Sequence, residues 1–445
     1  MSNEDKRIYL VRSTNEENNA FVGVRIRNDS IEFHYPESYD LAGVENVSTV
    51  KDIKAFRRDM IDILHTISLA KTRSSSMKRT ENGVSSTKDF TLMSYLWIIR
   101  DYLSNGIYRN TEKIFRSNAK GKVNWKRTLA TQPIISNGNI IYNNLVVEVN
   151  NDCDTVITEA HRLCVYDSVR NIGWLFGINE KAFYVPTPTA SLLKKYINTI
   201  KIEIKKTFDD AKKIRLNHML KVLSGIDDSK QVSEIVYGVD KYHYIYERMV
   251  DAIFGNIVDI KRYNPNASWF IMKGNSSYEK KDASPLRPDT IRIHPEPNPD
   301  PKTYLFDPRT KTAYVLDAKF YRYGTTGKQE DLPETTSIQK QITYATHIKT
   351  NIAQQEENIE NIHNAFVLPY NKNDNMFGFS NNLEYIGFSK ANWVGQQNDG
   401  VVHAFLMDTK HLISSWSQGN CKDDIDKLIS DIEEYVKNHD SWKSV

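Results

Sequence analysis

"YVLDAKFYRY", residues Tyr314 to Tyr323, is an apolar run that turns within three residues into an acid, a small residue and a lysine. Read as a strand, it puts Asp317 and Lys319 on one face, because side chains two apart in a strand point the same way. Just upstream, "KTYLFD" is a second short β-rich run. The turn chemistry of Asp307-Pro308-Arg309-Thr310-Lys311 between the two predicts a hairpin. A core strand that ends on two opposite charges asks for a chemical reason.

Further upstream, "LRPDTIRIHP" predicts another strand, with Asp289 standing 28 residues before Asp317. Neighbouring strands lie about 5 Å apart, so this reading brings together the carboxylates of Asp289 and Asp317 and the ammonium of Lys319. Two carboxylates that close repel unless a cation sits between them, and Mg2+, a hard ion that takes oxygen ligands, suits the place. The backbone carbonyl of Ala318 offers a further ligand. Water retained on such an ion is a nucleophile for phosphodiester cleavage, and Lys319 is placed to orient it and to offset the charge building on the phosphate. Downstream, the helix expected through "TSIQKQITYATHIK" carries Gln341 and Tyr344 on one face; upstream, the helix in "DKYHYIYERMVDAIFG" carries Glu247. Plainer readings stand beside these. A D-x-K triplet alone is more often a solvated strand end, Glu247 between Tyr246 and Arg248 also suits a surface pair, and Tyr344 also suits a core. The constellation, more than the triplet, points to a metallonuclease.

Pro288-Asp289, then Asp317-Ala318-Lys319, then a helix with Gln341 and Tyr344 resemble the PD-(D/E)XK nuclease superfamily over roughly residues 235 to 370. That resemblance implies a mixed β-sheet flanked by helices, and Glu247 stands where the superfamily often places an extra acid. A second resemblance reaches further. "GKVNWKRTLATQP", "LVVEVNNDCDTVITEAHRLCVYDSV", "YGVDKYHYIYERM", the "LRPDTI", "YVLDAK" and "IQKQITYA" core, and "EYIGFSKANW" together are similar to the LlaJI-type restriction endonucleases, relatives of the McrC subunit. It implies DNA cleavage within a restriction system for anti-phage defence, usually with an McrB-like GTPase as partner.

The rest of the chain sets the frame. At 445 residues, two or three domains are the natural expectation. Lys and Arg number 59 against 56 Asp and Glu, so a net charge of +3 announces no nucleic-acid binder by itself, and any basic surface is local. Cys153, Cys164 and Cys421 are too scattered for a zinc ribbon and too few for a disulfide framework, which fits a reducing cytoplasm. No apolar run approaches the roughly eighteen residues of a membrane span. The first forty or so residues alternate like strands, and Ile53, Phe56, Met60, Ile63, Leu64 and Ile67 then recur at helical steps. Residues 71–88 are nearly free of apolar side chains and carry Lys71, Arg73, Lys78, Arg79 and Lys88 against Glu81, which reads as a mobile basic loop. Lys126 and Arg127, beside Trp125, read equally as DNA contacts and as exposed charges on an ordinary strand. From Pro188 to Leu223 the pattern is that of a long, lysine-rich helix of the kind that joins two globular parts.

Two other motifs lead nowhere. "LMDTKHL" repeats the acid and lysine with Asp408 and Lys410, but no Pro-Asp strand precedes it and no Gln-bearing helix follows. "YGTTGKQE" separates Gly324 from Gly327 by two residues where a phosphate-binding loop needs four, and Gln329 follows Lys328 where that loop needs Ser or Thr. No H-E-x-x-H or G-x-S-x-G occurs. Any nucleotide would belong to a partner.

The expected fold is therefore α/β, a mixed sheet flanked by helices of the PD-(D/E)XK kind, plus an N-terminal α+β domain. Residues 1–187 are expected to recognise DNA or dock a partner, 188–231 to connect, and 232–445 to form the nuclease. The expected function is Mg2+-dependent cleavage of double-stranded DNA in the cytoplasm, with no membrane association, with several copies able to assemble on DNA, and with Asp289, Asp317, Ala318 and Glu247 at the metal and Lys319 and Gln341 assisting. Arg73, Lys78, Arg79, Lys126 and Arg127 are the expected DNA contacts. The alternatives are an McrC-like subunit that mainly stimulates a GTPase and cuts only within the complex, and an inactive DNA-binding or assembly module.

Overall fold

The computed structural model describes residues 7–14, 20–27, 30–41, 56–72, 89–137, 139–178, 180–228, 234–257, 260–265, 269–272, 290–293, 302–353, 358–394, 400–418 and 422–441. Asp289, Arg73, Lys78, Arg79 and Cys421 lie outside them.

The chain opens with three strands, β1 (Arg7–Ser13), β2 (Val22–Arg27) and β3 (Ser30–Pro36). β3 sits between the other two, parallel to β1 and antiparallel to β2. Two helices follow, α1 (Arg57–Thr72) and α2 (Asp89–Asn105). In α1 the residues at helical spacing, Met60, Ile63, Leu64 and Ile67, are all buried. Next come β4 (Asn110–Ser117), β5 (Lys122–Val123), the one-turn helix α3 (Trp125–Thr128), the hairpin of β6 (Ile134–Ser136) and β7 (Asn139–Ile141), and β8 (Val146–Cys153). β8 pairs antiparallel with β4 and β5 in a small sheet. α4 (Val156–Phe176) starts from a capping box between Thr155 and Thr158.

The lysine-rich stretch expected as one long helix is two, α5 (Ala190–Lys206) and α6 (Asp210–Asp228). Thr207 leaves the helical region at φ −86° and ψ 139°. Asp209 then caps the next helix, its Oδ1 accepting from the Ala211 amide at 2.9 Å and the Lys212 amide at 3.3 Å. The pair folds back on itself and packs against α2 and α4, burying Leu216, Met219, Val222 and Leu223. β9 (Glu234–Val239), beyond the expected connector, pairs antiparallel with β2 and completes the sheet β1-β3-β2-β9.

The last part begins with α7 (His243–Phe254), followed by an antiparallel ribbon of β10 (Trp269–Met272) and β11 (Thr290–Ile293). β12 (Thr303–Asp307) and β13 (Thr312–Ala318) form the expected hairpin. The chain continues through α8 (Tyr323–Thr326), α9 (Thr335–His347), β14 (Asn361–Tyr370), β15 (Leu383–Lys390), β16 (Val401–Asp408), α10 (Thr409–Gln418) and α11 (Lys422–Ser441). The five strands lie in the order β12-β13-β14-β16-β15. The three inner strands are parallel and both edge strands antiparallel, so the sheet is mixed, as expected.

Helices cover both faces of this sheet, which is why β13 is buried along its whole length. Tyr314, Leu316 and Ala318 face the large core shared with the buried side chains of α7, α10 and α11. Ala313 and Val315 face the other way, against Tyr344 of α9 and the turn of π-helix after it, Ile348–Ile352. α8 closes over the C-terminal end of β14, where a Cβ on Gly324 would stand 2.1 Å from the Pro369 carbonyl oxygen. Only glycine fits there. Among the described residues, no helix is long and apolar enough to cross a membrane.

Candidate active site

Asp317 shares the α9 face of β13 with Ala313 and Val315, and it sits at the strand's C-terminal end with 3 % of its surface exposed. In an open α/β sheet this end of the parallel strands is where functional crevices form. Lys319 follows on the same face, as strand alternation requires, and its Nζ lies 3.2 Å from Asp317 Oδ2. Its backbone is fixed as well, since the Lys319 amide donates to the Val367 carbonyl at 3.0 Å and so extends the β13–β14 pairing by one residue. The acid and the lysine singled out from sequence are therefore in contact.

The expected hairpin supplies one neighbour of Asp317, while the strand that follows Pro288-Asp289 does not lie beside β13. β11, which follows the Pro288-Asp289 pair, bonds to β10, and the antiparallel neighbour of β13 is β12. The reason is local: a four-residue turn joins β12 to β13, and a pairing closed by so short a loop costs little chain entropy. In that register Thr303 faces Leu316, and one step further Lys302 faces Asp317. Lys302 Nζ stands 2.7 Å from Asp317 Oδ1 and 5.7 Å from the centroid of the Tyr344 ring. Lys302 is 2 % exposed. A buried ammonium is stable only beside a counter-charge, and here the carboxylate supplies it, with the ring face adding a weaker attraction. The sequence reading missed Lys302. Counting the hairpin register outward from its turn would have found it.

Gln341 comes from α9 and is fully buried. Its Nε2 donates to the carbonyls of Val315 at 3.0 Å and Ala365 at 3.3 Å, on the adjacent strands β13 and β14. The side chain thus clamps the two central strands just below Asp317. Tyr344, one turn on, is core beneath Lys302. Glu247 is half-buried on α7, a helix that packs on β12 and β13; the rings of its N-cap residue Tyr242 and of Tyr246 flank Phe320 at 5.6 and 5.3 Å.

The donors present suit a hard divalent ion in kind. Asp317 offers a carboxylate that already draws two ammonium groups, and Gln341 Oε1 is buried without a hydrogen-bond partner. Among the described residues, however, no group of three or more His, Cys, Asp or Glu side chains stands ready to hold a metal. Asp317 would be the anionic anchor of such an ion.

The remaining candidates lie elsewhere. Lys126 and Arg127 are exposed on α3, a helix where a strand was one of the readings. Asn124 caps it, its side chain accepting from the Arg127 amide at 3.1 Å, and the Arg127 guanidinium lies 3.7 Å from the Phe115 ring centroid. Asp408 and Lys410, set aside in the sequence, make structural contacts. Asp408 Oδ1 accepts from the His411 amide at 2.8 Å at the start of α10, and Lys410 Nζ pairs with Asp59 at 2.9 Å.

Comparison with known proteins adds the following. The family model described as LlaJI restriction endonuclease matches residues 21–406. No curated protein matches the chain. Among solved structures, a chain of the tetradecameric assembly of Thermococcus gammatolerans McrB AAA+ hexamers with bound McrC is similar at 12 % identity and a TM-score of 0.32, over 90 % of this chain and 82 % of that one. A likeness of that size bears on neither activity nor partner.

Proposed function

The chain belongs to the LlaJI restriction endonuclease family, and on that footing we propose that it is a Mg2+-dependent endonuclease of the PD-(D/E)XK kind, cutting double-stranded DNA in a restriction system. The observation that carries the proposal is the contact of Asp317 with Lys319 at the C-terminal end of β13, 3.2 Å apart. The metal, when bound, supplies an activated water and stabilises charge on the phosphate. Asp317 holds it, with Asp289, Glu247 and the Ala318 carbonyl as further candidate ligands. Lys319 keeps its ammonium where it orients the attacking water and offsets charge on the phosphoryl oxygens. Gln341 acts at one remove by fixing β13 against β14. Residues 1–187 would recognise DNA or dock a partner, with the α5–α6 hairpin as connector and residues 232–445 carrying the cleavage machinery.

The partner proposed from the family resemblance is an McrB-like GTPase. A reading in which the chain cuts only inside such a complex is favoured by the burial of Asp317 between two ammonium groups. Incubating plasmid DNA with the purified chain and Mg2+, with and without a co-encoded GTPase, separates the readings. Cleavage by the chain alone supports an autonomous nuclease, and cleavage only with GTPase and GTP supports the subunit. Cleavage at an unchanged rate by Asp317→Asn would sink the site assignment in both.

A further inference from the structure

We infer that Lys302 occupies the cation position at Asp317 in the resting protein and must be displaced before a divalent metal is held there. The inference rests on the metal reading of Asp317 given above and adds a gate to it. Lys302 Nζ is 2.7 Å from Asp317 Oδ1, closer than Lys319 Nζ is to Oδ2 at 3.2 Å. It is also the more deeply buried of the two, with 1 % of its side chain exposed against 13 % for Lys319. The two lysines therefore do different things with one carboxylate. Lys319 lies past the end of β13, where its head reaches partly into solvent. Lys302 comes across from the neighbouring strand, its head enclosed between Asp317 and the Tyr344 ring.

A Mg2+ ion bound to a carboxylate oxygen sits about 2.0–2.1 Å from it. An ammonium already at hydrogen-bond distance from Oδ1 competes for that oxygen and repels the ion at close range, in surroundings where little water screens the repulsion. Loading the metal therefore requires the Lys302 head to leave Oδ1. The side chain has four rotatable bonds with which to do so, and the phosphates of bound DNA offer the displaced ammonium a new anionic partner. In this state Lys302 is a positioning residue: it holds Asp317 neutralised, and the site closed to metal, until substrate arrives.

Mn2+ titration followed by the electron paramagnetic resonance of the free ion measures this without cleavage. The proteins to compare are the wild type, Lys302→Met, Lys319→Met, and Lys302→Met combined with Asp317→Asn. The expected result is that Lys302→Met binds Mn2+ at least about tenfold more tightly than the wild type and more tightly than Lys319→Met, and that Asp317→Asn removes the gain. Unchanged affinity in Lys302→Met, or an equal gain in Lys319→Met, overturns the gate, the second because general loss of positive charge would then explain the effect. If the gain survives Asp317→Asn, or if no protein binds Mn2+ through Asp317, the metal reading fails along with the gate. Should Lys302→Met not fold, labelling the wild-type amines with acetic anhydride reads the same displacement by mass spectrometry. Lys302 is expected to be protected in the free protein and modified when Mn2+ is bound at saturating concentration without DNA; protection in both states overturns the gate.

Discussion

A carboxylate that neutralises a buried ammonium cannot be removed alone. Asp317→Asn keeps the size of the side chain but leaves Lys302 without its counter-charge, and breaking a buried pair from one side costs about 3–5 kcal/mol. The variant is therefore expected to lose cleavage and also to melt at distinctly lower urea. Adding Lys302→Met to it should recover most of the stability and none of the cleavage. Equal urea midpoints for wild type and Asp317→Asn would mean the pair contributes nothing to the fold. Lys319→Ala acts in another way, removing a cation that in the proposed mechanism serves the reaction more than the core. Its cleavage rate should fall about 10²–10³-fold, the usual effect of removing one electrostatic interaction with the reacting group. A single-turnover assay at saturating Mg2+ measures it.

At the scale of elements, the five-stranded sheet has a titratable back face. His363 on β14 and His403 on β16 stand 6.0 Å apart between ring centroids, and His403 Nδ1 lies 3.1 Å from the Tyr385 hydroxyl on β15. Burial pushes His363 down to about 4. Burial, and then the charge of His363, push His403 down to about 3. In the helical part burial likewise lowers His161 and His218 to about 4. Each is held neutral in the folded chain, whereas the unfolded chain takes up protons near the ordinary value of about 6.5. Their contribution is thus present above about 6.5 and lost as pH falls from there towards about 4, and for His403 towards about 3, because the unfolded state binds more protons across that window. The urea midpoint should fall between pH 7.5 and 5.5, where carboxylates still stay ionised, and His363→Leu should flatten the fall. Equal midpoints at the two pH values would contradict the buried neutral state.

Across the whole molecule, the candidate site is tied to the N-terminal sheet. Arg322, three residues past Lys319, binds Glu37 with both arms of its guanidinium at 2.8 Å. Lys410 at the start of α10 pairs with Asp59 on α1, and Ser38 bonds Thr409 at 2.8 Å. β9 pairs with β2, and α1 packs on α7 and α10. Residues 232–445 made alone would leave β9 without its partner strand and uncover the apolar side of α7 and α10. Such a fragment is expected to unfold at lower urea than the full chain, and an identical midpoint would show that the two parts do not support each other. The basic stretch 71–88 permits a prediction on DNA. Neutralising Arg73, Lys78 and Arg79 together should weaken binding evenly across sequences and shallow the salt dependence by up to about 0.9 for each phosphate left un-neutralised. A changed cut site would show instead that the stretch reads bases.

Local geometry already fixes the β12–β13 hairpin, the helical faces of α1 and α9 and the acid–lysine contact. Strand alternation puts Asp317 and Lys319 on one face whatever surrounds them, the Asp-Pro turn closes its hairpin locally, and the helical spacing in α1 and α9 marks their buried faces. These depend on backbone geometry within a few residues. What the tertiary structure alone decided were the partners across space. The break between α5 and α6 was written in Thr207 and Asp209, yet only packing on α2 and α4 turns it into a hairpin instead of a spacer. The pairing of β9 with β2 joins residues more than two hundred positions apart. The two carbonyls on adjacent strands that hold the Gln341 amide are likewise brought to it only by packing. The deepest contact of the candidate site, Lys302 on Asp317, comes from the register of the β12–β13 hairpin carried one residue past β12, into a core that other elements close. Short loops fix neighbours cheaply and locally, whereas the burial that makes a single charge pair matter is a property of the whole packed chain.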